Sequence, residues 1–271
     1  MIPLEDNFGD IIGKAQRGLE LSDTELAEKA RISSAQVRKL RDGEFDEMAI
    51  WRIAPVLGLG GRALRNLAEG SWHPRPIDNF QGLAAFSTSY QGMKVNSYLL
   101  WNKGEAIAFD TGADCGEMLK TAKQKKVTIK LILLTHAHGD HIADLARLKK
   151  ETGAPVYISE KEPTTGAQAI KPGTEFSAGK LEVESRSTWG HSEGGITYVV
   201  RGLKRPVAVV GDSIFAGSMG GGSISYEDAV LNNLEQILTL PDETILCPGH
   251  GPMTTVGEEK EHNPFFAGKT G

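Results

Sequence analysis

Three of the chain's seven histidines and one aspartate fall within six consecutive positions: His136, His138, Asp140 and His141 of "THAHGDH" at 135–141. Imidazole suits zinc or iron, and a carboxylate suits a hard divalent cation or a bridge between two cations. His136 and His138 are two apart in extended chain, so both rings can point to one side. Asp140 and His141 follow at the turn into a helix and can address a neighbouring point. A single loop histidine is ordinarily a solvated group, but four such residues in six positions point to a bound cation. Further polar residues beside glycine close other apolar runs: Asp110 in "FDTG", His191 in "WGHS", Asp212 in "VGDS" and His250 in "PGHG". Polar groups raised on strand-end loops over a rigid scaffold are a frequent catalytic arrangement.

These residues need elements to hold them. From residue 80 onward the apolar patterning predicts a series of strands, among them "EAIAFD", "IKLILLT", "APVYIS", "GITYVVRG", "RPVAVVGD" and "ETILCPG". Helices are predicted at about 114–125, 141–151, 226–239 and 255–262. The glycine run 220–222 reads as a mobile loop near the site or a plain turn.

The first 70 residues have a different texture. Ser22 with Glu25, and Ser33 with Gln36, form capping-box patterns at the starts of two short helices, and a tight turn joins them. The segment "SWHPRPIDN" (71–79) carries two prolines and no apolar periodicity. It divides the chain into a helical unit at 1–72, a linker at 73–80 and a larger unit at 81–271.

Composition narrows the function class. The net charge of -5 does not advertise nucleic acid or an anionic membrane as a partner. The opening "MIPLEDNFGD" lacks the basic and apolar regions of a secretory signal, and no apolar run is long enough to span a bilayer, so a cytoplasmic protein is expected. Two distant cysteines, Cys115 and Cys247, read as small buried hydrophobes in a reducing compartment, with a ligand role for Cys247 as the lesser alternative.

Two family resemblances rest on these residues. "HAHGDH", followed in order by His191, Asp212 and His250, resembles the metallo-β-lactamase superfamily over about 82–265. That resemblance implies an α+β fold, an αββα sandwich with two divalent metals at the sheet edges. His136, His138 and His191 would bind one metal, and Asp140, His141 and His250 the other, with Asp212 bridging. Asp110 would support the site through hydrogen bonds without coordinating. The implied catalytic residues are Asp140 and Asp212, and the implied reaction is attack of a metal-bridging hydroxide on a carbonyl. Zinc is the expected metal; iron and manganese also fit the ligand types.

Within the superfamily, "GDSIFAGSMG" and "CPGHGPMTTVGEEKEHNPFF" resemble the glyoxalase II group, which implies a thioester or small ester as substrate. Three features depart from that group. Gly221 stands where arginine is common, Ser192-Glu193 replaces Thr-Pro, and no carboxy-terminal helical domain is expected within the 271 residues. An iron-dependent enzyme of the persulfide dioxygenase type is a second reading.

Residues 8–68 resemble the helix-turn-helix domain of the Cro and phage-repressor group, which implies a five-helix bundle with 33–41 as recognition helix. Ser34, Gln36, Arg38, Lys39 and Arg41 would then face DNA, making the chain a regulator whose metal domain senses a ligand. Residues 1–70 hold 10 Lys+Arg against 12 Asp+Glu, which gives little charge for phosphate contacts. The same unit could instead pack on the second one or form a homodimer contact.

Overall fold

The computed structural model describes residues 2–269. Three capping boxes start its first helices: the Asn7, Ser22 and Ser33 side chains each accept from an amide in the first turn, and Asp10, Glu25 and Gln36 bond back. The helices are α1 (Phe8–Gly18), α2 (Asp23–Ala30) and α3 (Ser34–Arg41), followed by α4 (Glu47–Val56) and α5 (Gly61–Ala68). Residues 71–78 contain neither helix nor strand.

Two six-stranded sheets follow. The first has the order β1 (Leu83–Tyr90), β2 (Met93–Asn102), β3 (Glu105–Phe109), β4 (Thr128–Leu133), β5 (Val156–Ser159), β6 (Gln168–Ile170). The second runs β12 (Thr254–Thr255), β11 (Ile245–Pro248), β10 (Val207–Gly211), β9 (Ile196–Arg201), β8 (Leu181–Ser187), β7 (Glu175–Ala178). Tyr98, Leu100, Ile107, Phe109 and Leu133 of the first sheet share a core with Val183, Tyr198, Val200, Val209, Ile245 and Cys247 of the second. The outer face of the first sheet is covered by α6 (Gly116–Lys125) and α8 (Leu145–Thr152), through Met118, Ala122, Leu145 and Leu148. On the other side lie α9 (Tyr226–Asn232), its π-helical continuation Asn233–Ile237, and α10 (Val256–His262). Every residue of β10 is buried because both faces are covered, which is why it reads as a continuous apolar run.

The core of helices α1 to α5 is continuous with that of the sandwich. Ile11, Ile12, Leu26, Leu40, Ile53 and Leu64 belong to one buried cluster with Ala208, Val210, Leu246, Val256, Phe265 and Phe266 of the sandwich. The amide of Gly60 donates to the Pro264 carbonyl (2.7 Å), so the two parts are also joined by main-chain bonding.

The helix expected at 141–151 is two pieces, α7 (Gly139–Ile142) and α8. Asp144 leaves helical geometry between them, and its carboxylate accepts the Cys115 amide (2.9 Å) instead of capping α8. The edge strands β6 and β7, three and four residues long, are too short to leave a period in the sequence. Cys247 is fully buried between the sheets, with Met253 beside it (Sγ to Sδ 3.9 Å), and acts as a core residue. Among the described residues no helix is long and apolar enough to cross a membrane.

Glu259 of α10 is completely buried and accepts from Thr254 Oγ1 (2.7 Å), Asn263 Nδ2 (2.8 Å) and the Gly217 amide (2.9 Å). Burial, opposed by these hydrogen bonds, raises its pKa from 4.5 to about 7. The folded state therefore holds this proton more tightly than the unfolded state. The resulting stability is complete below pH 4.5 and is lost as pH rises through about 7. At about 1.4 kcal/mol per unit, roughly 3 kcal/mol is at stake. Denaturant unfolding at pH 5 and pH 8 should show this loss in the wild type. The Glu259→Gln variant should show a smaller fall, because its amide keeps the shape without titrating.

Candidate metal centre

All seven expected ligands lie beyond strand ends at one edge of the sandwich, five in loops and Asp140 and His141 in the short helix α7. Asp110 follows β3, the histidine cluster follows β4, His191 follows β8, Asp212 follows β10, and His250 follows β11. Parallel pairing of β3 with β4 and of β10 with β11 brings these strand ends together in pairs.

The donor atoms form two groups, within each of which all lie within 4.8 Å of one another: His136, His138, His191 and Asp212 in the first, and Asp140, His141 and His250 in the second. In the first, His138 Nδ1 stands 3.0 Å from His136 Nε2 and 3.1 Å from His191 Nε2. In the second, Asp140 Oδ2 is 3.4 Å from His250 Nε2 and 3.7 Å from His141 Nε2. Asp212 lies between the groups: Oδ2 is 3.4 Å from both His191 Nε2 and His250 Nε2, and Oδ1 is 3.2 Å from His141 Nε2. His138 is exposed and the His191 side chain is 18% exposed, so the centre opens to solvent on that side.

The nitrogens facing away from the convergence point are held. His141 Nδ1 donates to Asp110 Oδ2 (2.8 Å), His191 Nδ1 to the Gly221 carbonyl (3.0 Å), and His250 Nδ1 to the Lys94 carbonyl (2.5 Å). Thr135 Oγ1 donates to Asp110 Oδ2 (2.8 Å) and is 3.0 Å from His136 Nδ1, which leaves the hydroxyl to accept from that ring. Such outer bonds fix tautomer and ring orientation in metal sites. Asp110 therefore steadies two imidazoles at once, one of them through Thr135. Its φ of +54° is a strained conformation for a residue with a side chain.

Two buried atoms test whether a cation fits. His141 Nε2 and Asp212 Oδ1 are shielded from solvent, lie 3.2 Å apart, and make no hydrogen bond. A buried nitrogen and carboxylate oxygen that make no hydrogen bond are costly unless something else satisfies them. A divalent cation between them would do so, and the donor set of imidazole and carboxylate is one that binds such ions.

Charge is balanced tightly here. Burial alone would raise the Asp212 carboxyl, but His141, His250 and His136 hold it well below the usual carboxylate range. Burial holds His136 well below its ordinary value, with His141 adding to the effect. Against burial, Asp212 and Asp110 raise His141 to about 10, and hydrogen bonds to Asp140 and Asp212 raise His250 to about 11. Cation uptake must displace these protons, so it releases acid and weakens as pH falls.

Sequence reasoning missed several supporting residues. Glu162 joins two ligand loops by accepting from the Ala137 amide (2.5 Å) and the Gly194 amide (2.8 Å); it lies in irregular chain and carries no pattern. Gly249 has no room for a Cβ, which would strike the Asp212 carboxylate and the His141 ring. The glycine run forms a wall: a Cβ on Gly220 would strike the Asp212 carbonyl and stand 3.0 Å from His191 Nδ1. The sequence signal, "PGHG" and "GGG" beside candidate ligands, was visible, but its packing role was not.

The expected DNA-facing residues lie on α3, away from this cluster, and their charges are paired. Arg41 contacts Asp23 at 3.0 Å, Arg38 approaches it at 3.8 Å, and Lys39 meets Glu44 at 2.9 Å. Gln36 closes its capping box with Ser33 and reaches Asp46 (3.3 Å); Ser34 is half-buried. A cleft of about 1030 Å³ lies at the opposite strand ends, lined by Lys103, Lys125, Lys126, Lys204 and Arg205 among others, and holds none of the seven residues.

Comparison with known proteins agrees with this geometry. The chain is 30% identical to the probable metallo-hydrolase YqgX of Bacillus subtilis, a match covering 65% of this chain and 94% of that one. It is 25% identical to the hydroxyacylglutathione hydrolase GloC of Haemophilus influenzae, with coverage of 65% and 94%. Among solved structures, the B3 metallo-beta-lactamase BLEG-1 is 28% identical with a TM-score of 0.59, covering 68% of this chain and all of that one. TTHA1623, solved in a di-iron-bound form, is 25% identical with a TM-score of 0.55, covering 66% and 99%. The sequence model of the metallo-beta-lactamase superfamily matches residues 90–250, a stretch holding every one of the seven clustered residues, and the chain belongs to that superfamily.

Proposed function

We propose that the chain is a metal-dependent hydrolase of glyoxalase II-like type, acting on a thioester or small ester with two divalent cations, zinc foremost. The observation that carries this reading is the pair of donor groups sharing Asp212, with His141 Nε2 and Asp212 Oδ1 buried and without a hydrogen bond. Two cations bound there would supply Lewis acidity and a water acidic enough to ionise near neutral pH. The protein's own residues do the rest. Asp110, Thr135, Gly221 and Lys94 lock the imidazoles so that their free nitrogens converge. Asp140 feels burial upward, but a hydrogen bond with His250 and the charge of His141 lower it below the usual range. It is therefore ionised at neutral pH and can accept a hydrogen bond from the attacking water, orienting it. Substrate enters on the side of His138 and His191, where the cluster meets solvent.

The relative named as a hydroxyacylglutathione hydrolase supports a thioester. The aspartate at 212 and the motifs around it support the same group. Exposed Glu193, two residues from His191, and glycine at 221 favour a less anionic substrate than a glutathione conjugate. The relative solved with two irons keeps iron among the metals to be measured. A DNA-binding role for residues 33–41 draws no support from charge, since Arg38, Lys39 and Arg41 all meet carboxylates of their own bundle.

A panel of thioesters, esters and lactones tests the reading, with His138→Ala as control. Hydrolysis by the wild type should fall at least ~10³-fold in that variant, a loss of about 4 kcal/mol of barrier lowering. Chelation should abolish it and zinc should restore it. Equal residual rates in the wild type and His138→Ala would show that the activity is not this protein's.

A further inference from the structure

The amino-terminal segment lies outside the residues matched by the superfamily, 90–250, yet it is built into the rim of the metal centre. Lys14 of α1 is only 16% exposed and donates to the Met219 carbonyl (2.8 Å). It pairs closely with Asp6, whose Oδ2 also accepts from Ser218 Oγ (2.6 Å). The Lys14 ammonium stands 5.2 Å from the centre of the Phe215 ring, a cation–π distance. Phe215 in turn meets the His250 ring edge-on, 5.7 Å between centroids at 89°. Leu67 and Trp72 close on Gly217 from the same side. Glu5 packs its backbone on Gly251, the residue after His250: a Cβ there would stand 3.2 Å from the Glu5 amide nitrogen.

All these contacts fall on the loop Phe215–Met219 or beside His250. That loop begins three residues after Asp212 and is followed by Gly220, which backs Asp212 and His191. On its other side Asn263 Nδ2 donates to the Ser218 carbonyl (2.7 Å), and Glu259 accepts the Gly217 amide. The loop is thus gripped from two directions, by α10 of the sandwich and by the helical segment. The second grip brings a largely shielded cation to the face of an aromatic ring that meets a candidate ligand.

We propose that the Asp6–Lys14 pair is a positioning element of the metal centre, holding Phe215 and the loop to Met219 so that His250 presents its donor atom correctly. The inference rests on the reading of the seven residues as a metal centre, and it makes the helical segment a working part of the hydrolase. Lys14 touches neither substrate nor metal; it acts through Phe215 and the loop backbone.

The test is zinc titration of the full chain against a chromophoric chelator, with steady-state kinetics alongside. Lys14→Met keeps the aliphatic stem and removes the charge. It should weaken one of the two zinc-binding steps about tenfold or more while leaving the other unchanged, the usual scale for an outer-sphere contact. The kcat should fall with KM within about twofold. Lys14→Arg, which can still bond Asp6 and sit over the ring, should recover most of the loss. Lys29→Met, a distant exposed change on α2, should alter nothing. A folded Lys14→Met protein with both zinc steps and kcat unchanged would overturn the proposal, as would equal weakening in Lys14→Arg. Should Lys14→Met not fold, Asp6→Asn decides: it should weaken the same single step, and an unchanged step would overturn the proposal. A wild type that takes up no zinc would sink the metal-centre reading itself, and with it this inference. Two tight steps in both wild type and Lys14→Met would sink this inference alone.

Discussion

Asp212→Asn is expected to lower kcat/KM at least ~10³-fold and to leave the protein able to hold one divalent cation per chain in place of two. The side chain keeps its shape in this variant but loses the negative charge that stands 3.2 to 3.9 Å from four imidazole nitrogens. One of its positions becomes an amide N–H₂, which cannot donate electron density to a cation. Removing a ligand shared by two ions forfeits several kcal/mol of charge stabilisation, and each 1.4 kcal/mol is a factor of ten in rate. The charge also holds the folded site together: Asp212 is among the groups that raise His141 and His250 toward 10 and 11. Without it, both imidazoles should lose their protons at lower pH, which NMR titration of the metal-free variant would show directly. Kinetics on the best substrate and elemental analysis would check the two main effects. A variant that keeps two ions and full rate would remove Asp212 from the centre.

Asp110→Asn should cost about as much metal affinity as the loss of a ligand's orientation does elsewhere, 10- to 100-fold, without removing any donor atom from the cluster. The wild-type carboxylate accepts three bonds, from the Thr135 amide (2.8 Å), Thr135 Oγ1 (2.8 Å) and His141 Nδ1 (2.8 Å). An asparagine can still accept the Thr135 amide on its oxygen, but its N–H₂ then faces His141 Nδ1. The imidazole is driven to the other tautomer, with the proton on Nε2 pointing at the convergence point. The same substitution misorients a catalytic histidine in serine proteases for the same reason. Stability should fall as well, by about 1–3 kcal/mol, because a buried donor is left without an acceptor. Zinc affinity by competition and unfolding of the metal-free protein would measure these separately. Unchanged zinc affinity with lowered stability would make Asp110 a purely structural residue.

Much of this cluster was legible before any coordinates because closely spaced histidines and aspartates are chemically conspicuous. His136, His138, Asp140 and His141 sit in six positions, and His191, Asp212 and His250 each stand beside glycine at the end of an apolar run. The residues that orient them were less visible. Asp110 could be found from its "FDTG" setting, but Gly221 and Lys94 act through backbone carbonyls, which no residue type announces. Glu162 acts across 25 and 32 residues of sequence through the fold alone. The elements show the same division. β10 is buried on both faces and reads as an apolar run, whereas β6 and β7 are too short to show a period. The helical segment was legible as helices through its capping boxes, Ser22 with Glu25 and Ser33 with Gln36. Its shared core with β10, β11 and α10 was not, since one apolar helix face looks the same whichever neighbour covers it.

Counting metal decides whether two adjacent donor groups sharing Asp212 form a dinuclear hydrolytic centre. Protein purified without added metal, stripped and then reloaded with zinc at pH 8, should bind two ions per chain and release protons as it does so, because His141 and His250 must give theirs up. His138→Ala and His250→Ala, one from each group, should each keep one ion. Binding of one ion or none by the reloaded wild type, with no change in either variant, would rule out a dinuclear centre at these residues.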